Sequence, residues 1–165
     1  MKDSRDLRTD VVCERMTAST VAQAKQLLSK FLVSDPHYRA SAAHYGDGGT
    51  QALDRALALF LARPGIGFVW LARVDGDVVG ACVVCYAIST SRGMLVAKLD
   101  DVTVDPRHHG QGIGTAMLDA LIATLATDGI GRIDTACHRD NDGAWRFYAA
   151  RGFRPLGEER LAVLL

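Results

Sequence analysis

Apolar residues recur at helical spacing in three stretches of the chain. Positions three and four apart lie on one face of an α-helix, so each stretch predicts a helix with one buried face. The three sets are Val21, Ala24, Leu27, Leu28 and Phe31; Leu53, Leu57, Phe60 and Leu61; and Ile113, Met117, Leu118, Leu121 and Leu125. Thr17 or Ser19 can cap the first helix, and Thr50 can cap the second. Pro36 and Pro64 indicate where these two helices stop.

Extended apolar runs between turn residues predict the strands. A short strand is expected around residues 11–13, within residues 7–15. Asp75-Gly76-Asp77 separates two apolar runs, and an Asp-Gly pair in this position is typical of a hairpin. The remaining predicted elements are the hairpin strands at 67–74 and 78–88, strands at 95–104, 132–137 and 160–165, and helices at 112–127 and 141–151.

This order of elements, β-α-α-β-β-β-α-β-α-β, predicts an α/β fold in which helices flank a mixed sheet. Residues 37–49 are polar and contain Gly46, Gly48 and Gly49, which is typical of a loop. A chain of 165 residues is long enough to bury one substantial core. We therefore expect a single domain over residues 1–165.

The chain carries 19 Lys and Arg residues and 19 Asp and Glu residues, so its formal net charge is zero. A balanced charge disfavours nucleic acid or an anionic membrane surface as the partner. Residues 1–10 are charged and contain no apolar region of a signal peptide, and the longest apolar stretch, 78–88, is too short to cross a bilayer. We expect a cytoplasmic protein with a small-molecule or a specific protein substrate.

All four cysteines, Cys13, Cys82, Cys85 and Cys137, lie in apolar stretches. Cys82-x-x-Cys85 has the spacing of a zinc or redox motif, but the sequence contains no second such pair. Strand residues three apart also point to opposite faces of a sheet. We interpret the cysteines as core thiols of a reducing compartment and expect no bound metal.

A glycine-rich turn follows the strand that ends at Asp105-Pro106 and precedes a helix. Glycines at 110, 112 and 114 let a diphosphate approach the backbone, where N–H groups and the helix dipole attract it. Thr115 stands where a dinucleotide-binding fingerprint needs glycine, and the turn contains no P-loop lysine. His108-His109 lacks a third metal ligand. A phosphate cradle and a plain strand-to-helix connection remain as interpretations.

The turn resembles motif A of the GNAT family of N-acetyltransferases, Arg/Gln-x-x-Gly-x-Gly/Ala. Gly112 and Gly114 match its two glycines, whereas His109 stands at the Arg/Gln position. We expect this departure to weaken the side-chain contribution and to leave the main-chain site. The resemblance implies that backbone amides bind the pyrophosphate of coenzyme A. The cofactor-binding residues implied in this motif and the next are Val102, Thr103, Val104, His109, Gly110, Gln111, Gly112, Ile113, Gly114, Thr115, Asn141, Ala144 and Tyr148.

Residues 141–153 carry a second resemblance to the same family. They match Asn-x-x-Ala-x-x-Phe-Tyr-x-x-x-Gly-Phe at every defined position. Asn141 also suits a helix cap, and Gly152 suits the left-handed position after a helix. The two signatures occur in the family's order, and the resemblance covers about residues 69–153. It implies the GNAT fold, a central mixed sheet of six to seven strands flanked by four helices.

The resemblance also implies direct transfer of an acetyl group from acetyl-coenzyme A to an amine held in the same cleft. Tyr148 is then the acid that protonates the departing thiolate. The backbone N–H of Val104 is the donor to the carbonyl oxygen, and residues 102–104 pair with the pantetheine arm like an extra strand.

Asp100 and Asp101 resemble the acidic pair of diamine acetyltransferases and related GNAT members, where a carboxylate handles the acceptor amine. Because neighbouring strand residues point to opposite faces, we expect only one of the two to face the cleft. Asp100 is the first choice for this role and Asp101 the next. A carboxylate that caps or salt-bridges a nearby loop is the alternative.

A small cationic amine is the acceptor that this acidic pair favours, with a peptide amine left open. His37, Tyr38, His44 and Tyr45 fall where GNAT members often line the acceptor pocket, and His138 is a lower-ranked base. The alternative functions are a non-catalytic acetyl-coenzyme A sensor or scaffold of the same fold and a nucleotide-binding oxidoreductase, which the glycine spacing disfavours. Family habit implies a homodimer.

Overall fold

The computed structural model describes residues 10–46 and 48–165, with only the backbone of Tyr45. Within these residues one sheet contains the strands β1 Val12–Arg15, β2 Gly67–Val74, β3 Asp77–Ser89, β4 Met94–Val104 and β5 Ile133–Thr135, in that spatial order. The first four strands are antiparallel neighbours, whereas β5 runs parallel to β4. The predicted mixed sheet and the β2–β3 hairpin are therefore confirmed. Residues 7–9 of the first predicted strand lie outside the described residues.

The helices are α1 Val21–Ser34, α2 Pro36–Tyr45, α3 Gly49–Ala62, α4 Ile113–Thr127 and α5 Asp142–Ala149, with a short 3-10 turn at Pro106–His108. The prediction of a loop over residues 37–49 is wrong, since α2 occupies most of it and makes five helices instead of four. Asp35 Oδ1 accepts a hydrogen bond from the Tyr38 N–H at 2.7 Å, and Pro36 occupies the first turn. Asp35-Pro36 thus both ends α1 and starts α2. In the described residues, no helix has the length and apolar content that a bilayer crossing needs.

The predicted strand at 160–165 is not formed, so the described sheet has five strands instead of six to seven. The apolar side chains of this segment are exposed, with Leu161 at 90% and Val163 at 82%. No backbone–backbone hydrogen bond is recorded for residues 154–165 in the described chain. The sheet therefore ends at β5, an edge strand of three residues.

Strand β2 separates two apolar cores, because successive strand residues point to opposite faces. Phe68 and Trp70 pack on the side of α4, whereas Val69 and Leu71 pack on the side of α1 and α3. Helix α4 buries the five apolar residues predicted from its spacing, each at most 1% exposed: Ile113, Met117, Leu118, Leu121 and Leu125. This packing fixes α4 beneath the sheet, and its N-terminus therefore stands at the end of β4.

Candidate active site

The parallel strands β4 and β5 pair over only part of their length. Their register runs from Ala97 opposite Ile133 to Leu99 opposite Thr135, and no further pair is recorded in the described chain. Residues 100–104 of β4 keep β3 as a neighbour on one side. A cavity of about 550 Å³ lies where the two strands separate, lined by residues from both. One edge of β4 therefore faces this cavity without a strand partner.

A β-bulge at Asp101 redirects the side chains beside the opening. The φ angle of Asp101 is +50°, a left-handed conformation that non-glycine residues rarely adopt. The register against β3 shifts between the Asp100–Val83 pair and the Thr103–Ala81 pair, where β4 has one extra residue. Asp100 and Asp101 consequently both line the cavity. The prediction that only one of them faces the cleft is wrong, because the strand's regular alternation stops at the bulge.

The two carboxylates have different electrostatic surroundings. Asp100 lies 3.9 Å from Lys98 Nζ and 3.9 Å from the guanidinium of Arg160. Burial, followed by the negative charge of Asp100, raises the pKa of Asp101 to about 6, and the positive charge of Arg160 opposes that rise. At pH 7 such a carboxyl is ionised and is a stronger proton acceptor than an ordinary aspartate. Asp101 therefore has the acid–base properties of a general base.

Tyr148 forms part of another wall of the cavity, on α5. Asn141 caps this helix by accepting a hydrogen bond from the Ala144 N–H at 3.0 Å, as the sequence predicted. Tyr148 is only 8% exposed. Burial raises the pKa of its phenol to about 12, although a hydrogen bond with Thr135 opposes the rise. The hydroxyl is therefore protonated at neutral pH and available as a proton donor.

The glycine turn sets an open helix N-terminus beside the end of β4. Gly110 and Gly112 have φ angles of +75° and +77°, which glycine adopts without the strain of a β-carbon. Gly112 precedes α4, and no described side chain caps the helix. A β-carbon at Gly114 would lie 3.6 Å from side-chain atoms of Val104 and Phe147, so the first turn of α4 adjoins both β4 and α5. These N–H groups and the helix dipole suit an anion.

Two side chains hold this turn against β4. Asp105 accepts hydrogen bonds from the Arg107 backbone N–H at 3.0 Å and from its guanidinium at 3.1 and 2.9 Å, and these bonds hold the pKa of Asp105 well below its usual range. His109 Nε2 donates to the Val104 carbonyl at 2.8 Å. The next N–H, of Asp105, donates to Val79 of β3 at 2.8 Å. Because strand residues alternate in direction, the N–H of Val104 points away from β3, towards the opening.

The cavity brings together part of the predicted residue set. The predicted site residues that line it are Asp100, Asp101, Val102, Asn141, Ala144 and Tyr148, whereas residues 103, 104 and 109–115 are outside its lining. Helix α2 contributes His37, Tyr38 and His44 to the wall, and His138 contributes from the chain that follows β5. The side chain of Tyr45, also predicted here, lies outside the described residues.

The parts of the wall that sequence reasoning missed include Thr135 in β5, Asp35 before α2, and residues 160–162 of the C-terminal segment. The Thr135 hydroxyl donates to the Leu99 carbonyl at 3.3 Å and also interacts with Tyr148. The Asp-Pro pair at 35–36 carried a usable signal, because the same pair is typical of a helix start. No motif marks Thr135 or Arg160.

A family model described as the acetyltransferase (GNAT) family matches residues 31–153. That range includes the separated strands, the glycine turn and α5. The chain belongs to the GNAT family. The family predicted from the two signatures is thereby confirmed, and the closer resemblance to diamine acetyltransferases stays a prediction.

Related proteins extend the GNAT match. An uncharacterised N-acetyltransferase of Methanocaldococcus jannaschii is 31% identical over 97 residues, which cover 52% of this chain and 43% of that protein. A mycothiol acetyltransferase of Sanguibacter keddieii is 33% identical over 118 residues, 70% of this chain and 37% of that protein. The crystal structure of an aminoglycoside acetyltransferase from an uncultured soil metagenomic sample shares the fold, with a TM-score of 0.66 at 19% identity and 93% of each chain covered. The chain thus spans less than half the length of these two curated relatives.

Proposed function

We propose that this GNAT protein transfers an acetyl group from acetyl-coenzyme A to a primary amine of a small molecule. The observation that carries the proposal is the presence of Asp101 and Tyr148 on one cavity, beside the unpaired edge of β4. The pKa of Asp101 suits this carboxylate to take a proton from an amine. Tyr148 is protonated and can give its proton to a departing thiolate. The family match supports acetyl transfer in general.

Acetyl-coenzyme A fits two features of the described chain. Its pyrophosphate suits the open N-terminus of α4, where Gly110 and Gly112 keep the backbone accessible. Its pantetheine arm carries amides that suit the unpaired edge of β4 at residues 102–104, as an added strand would. Val102 lines the cavity, and a β-carbon at Gly114 would lie 3.6 Å from the Val104 side chain at the end of β4, so the two features are neighbours.

In the proposed reaction Asp101 takes a proton from the acceptor ammonium, directly or through one water. The amine nitrogen then attacks the acetyl carbon; a C–N bond forms, the C–S bond breaks, and the electron pair leaves on sulfur. Tyr148 gives its proton to that sulfur, and the nitrogen loses its second proton to solvent as the amide forms. Tyr148 then regains a proton from solvent and Asp101 releases its own, so that one proton is released in each turnover. The N–H of Val104 donates to the carbonyl oxygen as negative charge develops. We favour Asp101 over Asp100 as the base because Asp101 has the raised pKa.

His138 is less suited to act as the base. Its Nδ1 accepts a hydrogen bond from the Asp140 backbone N–H at 3.2 Å, which leaves the proton of the neutral ring on Nε2. Nε2 then donates and does not accept. The ring of His37 lies 5.1 Å away, centroid to centroid. We propose that this histidine pair forms part of the acceptor-binding wall.

A small cationic amine is the acceptor class that we propose. Asp35, Asp100 and Asp101 give the cavity wall an excess of negative charge. The names of two similar proteins, a mycothiol acetyltransferase and an aminoglycoside acetyltransferase, refer to small molecules and support this class. A peptide amine is the competing acceptor. The cytoplasmic location and the homodimer stay predictions.

The test is an acceptor screen with purified protein and acetyl-coenzyme A, in which thiol release is followed for diamines, aminoglycosides, amino acids and peptides. We expect amine-dependent thiol release with at least one cationic small molecule. Binding of acetyl-coenzyme A without turnover of any amine would favour the sensor or scaffold instead. Thermal stabilisation by NAD and not by coenzyme A would contradict the acetyltransferase proposal altogether.

A further inference from the structure

The C-terminal segment lies against the cavity and forms no strand in the described chain. Residues 160–162 contribute to the cavity wall, yet residues 154–165 have no recorded backbone–backbone hydrogen bond in the described chain. Side chains provide the recorded links. Arg139 pairs with Glu159 at 2.7 Å, but both side chains are more than three-quarters exposed. Because exposed ion pairs stabilise by about 1 kcal/mol at most, the Arg139–Glu159 pair is readily broken.

Arg160 brings a positive charge to the acidic part of the cavity. Its guanidinium lies 3.9 Å from Asp100 Oδ1. Among the described residues that line the cavity, Arg160 is the one Lys or Arg, against three aspartates. One of these, Asp35, is already engaged as the cap of α2. The guanidinium therefore stands beside the carboxylate pair to which an acceptor ammonium would be attracted.

We propose that Arg160 is a specificity-determining residue. In the free protein its guanidinium lies beside Asp100, and the ammonium group of a cationic acceptor replaces it there. This inference rests on the proposed acetyltransferase function. When an acceptor binds, its ammonium group replaces the Arg160 guanidinium beside Asp100, and the C-terminal segment moves outward. A second ammonium group gains the attraction of Asp101 as well, so dications displace Arg160 better than monocations.

The contact between Arg160 and Asp100 is open to this exchange. Its side chain is 55% exposed, and the 3.9 Å separation is longer than that of a direct hydrogen-bonded ion pair. The next residue, Leu161, is 90% exposed, so outward movement of the segment uncovers no apolar core. Arg160 also screens the carboxylate pair from weakly charged molecules, which gives selectivity through competition.

The kinetic test compares Arg160→Gln with Arg160→Lys and with Arg154→Gln, a matched change at an exposed arginine of the same segment that does not line the cavity. The substrate is whichever polyamine in a panel containing 1,4-diaminobutane and tobramycin turns over best. We expect Arg160→Gln to lower the acceptor KM about two- to fivefold, the range that an exposed ion pair supports, with kcat unchanged. Arg160→Lys and Arg154→Gln should keep the wild-type KM. An unchanged or raised KM in Arg160→Gln would overturn the inference.

A second test needs no turnover and so separates failure of this inference from failure of the proposed function. Trypsin cleaves after Arg160, whereas Arg154 is protected by the proline that follows it. We expect either probe, 1,4-diaminobutane or tobramycin, to accelerate loss of residues 161–165 at least twofold over sodium chloride of equal ionic strength. Asp100→Asn should be cleaved quickly without a probe and show no further acceleration. If neither probe changes the cleavage rate of the wild-type protein, the displacement of Arg160 is overturned, even if acetyl transfer is established.

Discussion

The two halves of β4 differ in their surroundings, although both are extended and both pair with β3. In residues 94–99, β5 pairs with the second edge at residues 97–99, and Val96, Ala97 and Leu99 are at most 4% exposed. In residues 100–104 that edge has no strand partner in the described chain, residues 100–102 line the cavity, and all five residues are only partly buried. The closed half serves as core, whereas the open half carries the acidic pair and free backbone groups. A binding site thus arises where a sheet stops pairing but its strand continues.

The bulge at Asp101 marks the boundary between these halves. A left-handed φ at a non-glycine residue costs on the order of 1 kcal/mol and persists where the surrounding structure holds it. Regular alternation would have placed Asp100 and Asp101 on opposite faces of the strand, whereas the bulge lets both line the cavity. Strain and exposed polar groups are concentrated in the open half, and the four predictions below test that division.

The largest expected effect is that of Tyr148→Phe on turnover. The phenol is the proposed proton donor, so its loss should lower kcat about 100-fold or more, while the dissociation constant for acetyl-coenzyme A changes less than about twofold. Steady-state kinetics and calorimetry measure the two quantities. Tyr86→Phe is the control, since Tyr86 packs against Phe68 outside the cavity lining. Equal kcat values for Tyr148→Phe and the wild type would remove this residue from the mechanism.

Replacement of the base should give the next largest loss. Asp101→Asn cannot accept a proton, and we expect kcat/KM to fall about 30- to 100-fold. In the wild type, kcat/KM should decline as pH drops below about 6, because Asp101 then becomes protonated. A pH–rate profile of both proteins provides the measurement, with the exposed Asp75→Asn, outside the cavity lining, as control. A wild-type profile that stays flat through pH 6 would argue against Asp101.

The same substitution should stabilise the fold in a pH-dependent manner. Since the pKa of Asp101 is raised to about 6, the folded protein binds this proton more tightly than the unfolded chain does. The stability that this tighter proton binding contributes is fully present below about pH 4 and is lost as pH rises through about 6. Asp101→Asn avoids the loss, so its free energy of unfolding should exceed the wild type's by about 2 kcal/mol at pH 8 and little at pH 4. Denaturant titrations at both pH values, with the exposed Asp75→Asn as control, would detect it; a pH-independent difference would contradict the raised pKa.

The smallest expected effect separates backbone strain from ligand binding at the glycine turn. Gly112 and Gly129 share a φ of +77° and have open space where a β-carbon would stand, but only Gly112 lies at the N-terminus of α4. Alanine at either position should lower the free energy of unfolding by about 1 kcal/mol. Gly112→Ala alone should also weaken acetyl-coenzyme A binding, by about tenfold or 1.4 kcal/mol. Equal affinities in the two variants, measured by calorimetry, would place the pyrophosphate elsewhere.

Elements defined by nearby residues were predictable from the chain. The buried face of α4, the Asn141 cap of α5 and the hairpin at Asp75-Gly76 all agree with the structure. The prediction of a loop over residues 37–49 was wrong because Asp35-Pro36 was interpreted only as the end of α1, although Asp35 also caps α2. The strand assigned to 160–165 failed for a different reason: its apolar pattern is that of a strand, but the sheet gives it no partner.

Spacing and turn chemistry act over three or four residues, so the chain alone was enough to locate the glycine turn, Tyr148 and the acidic pair, and to indicate the family. The direction of Asp101, its raised pKa and the approach of Arg160 to Asp100 depend on residues distant along the chain. Strand register, burial and the distance between charges are set by packing, and no local pattern encodes them. They are also the properties that turn a row of polar residues into a site able to move protons.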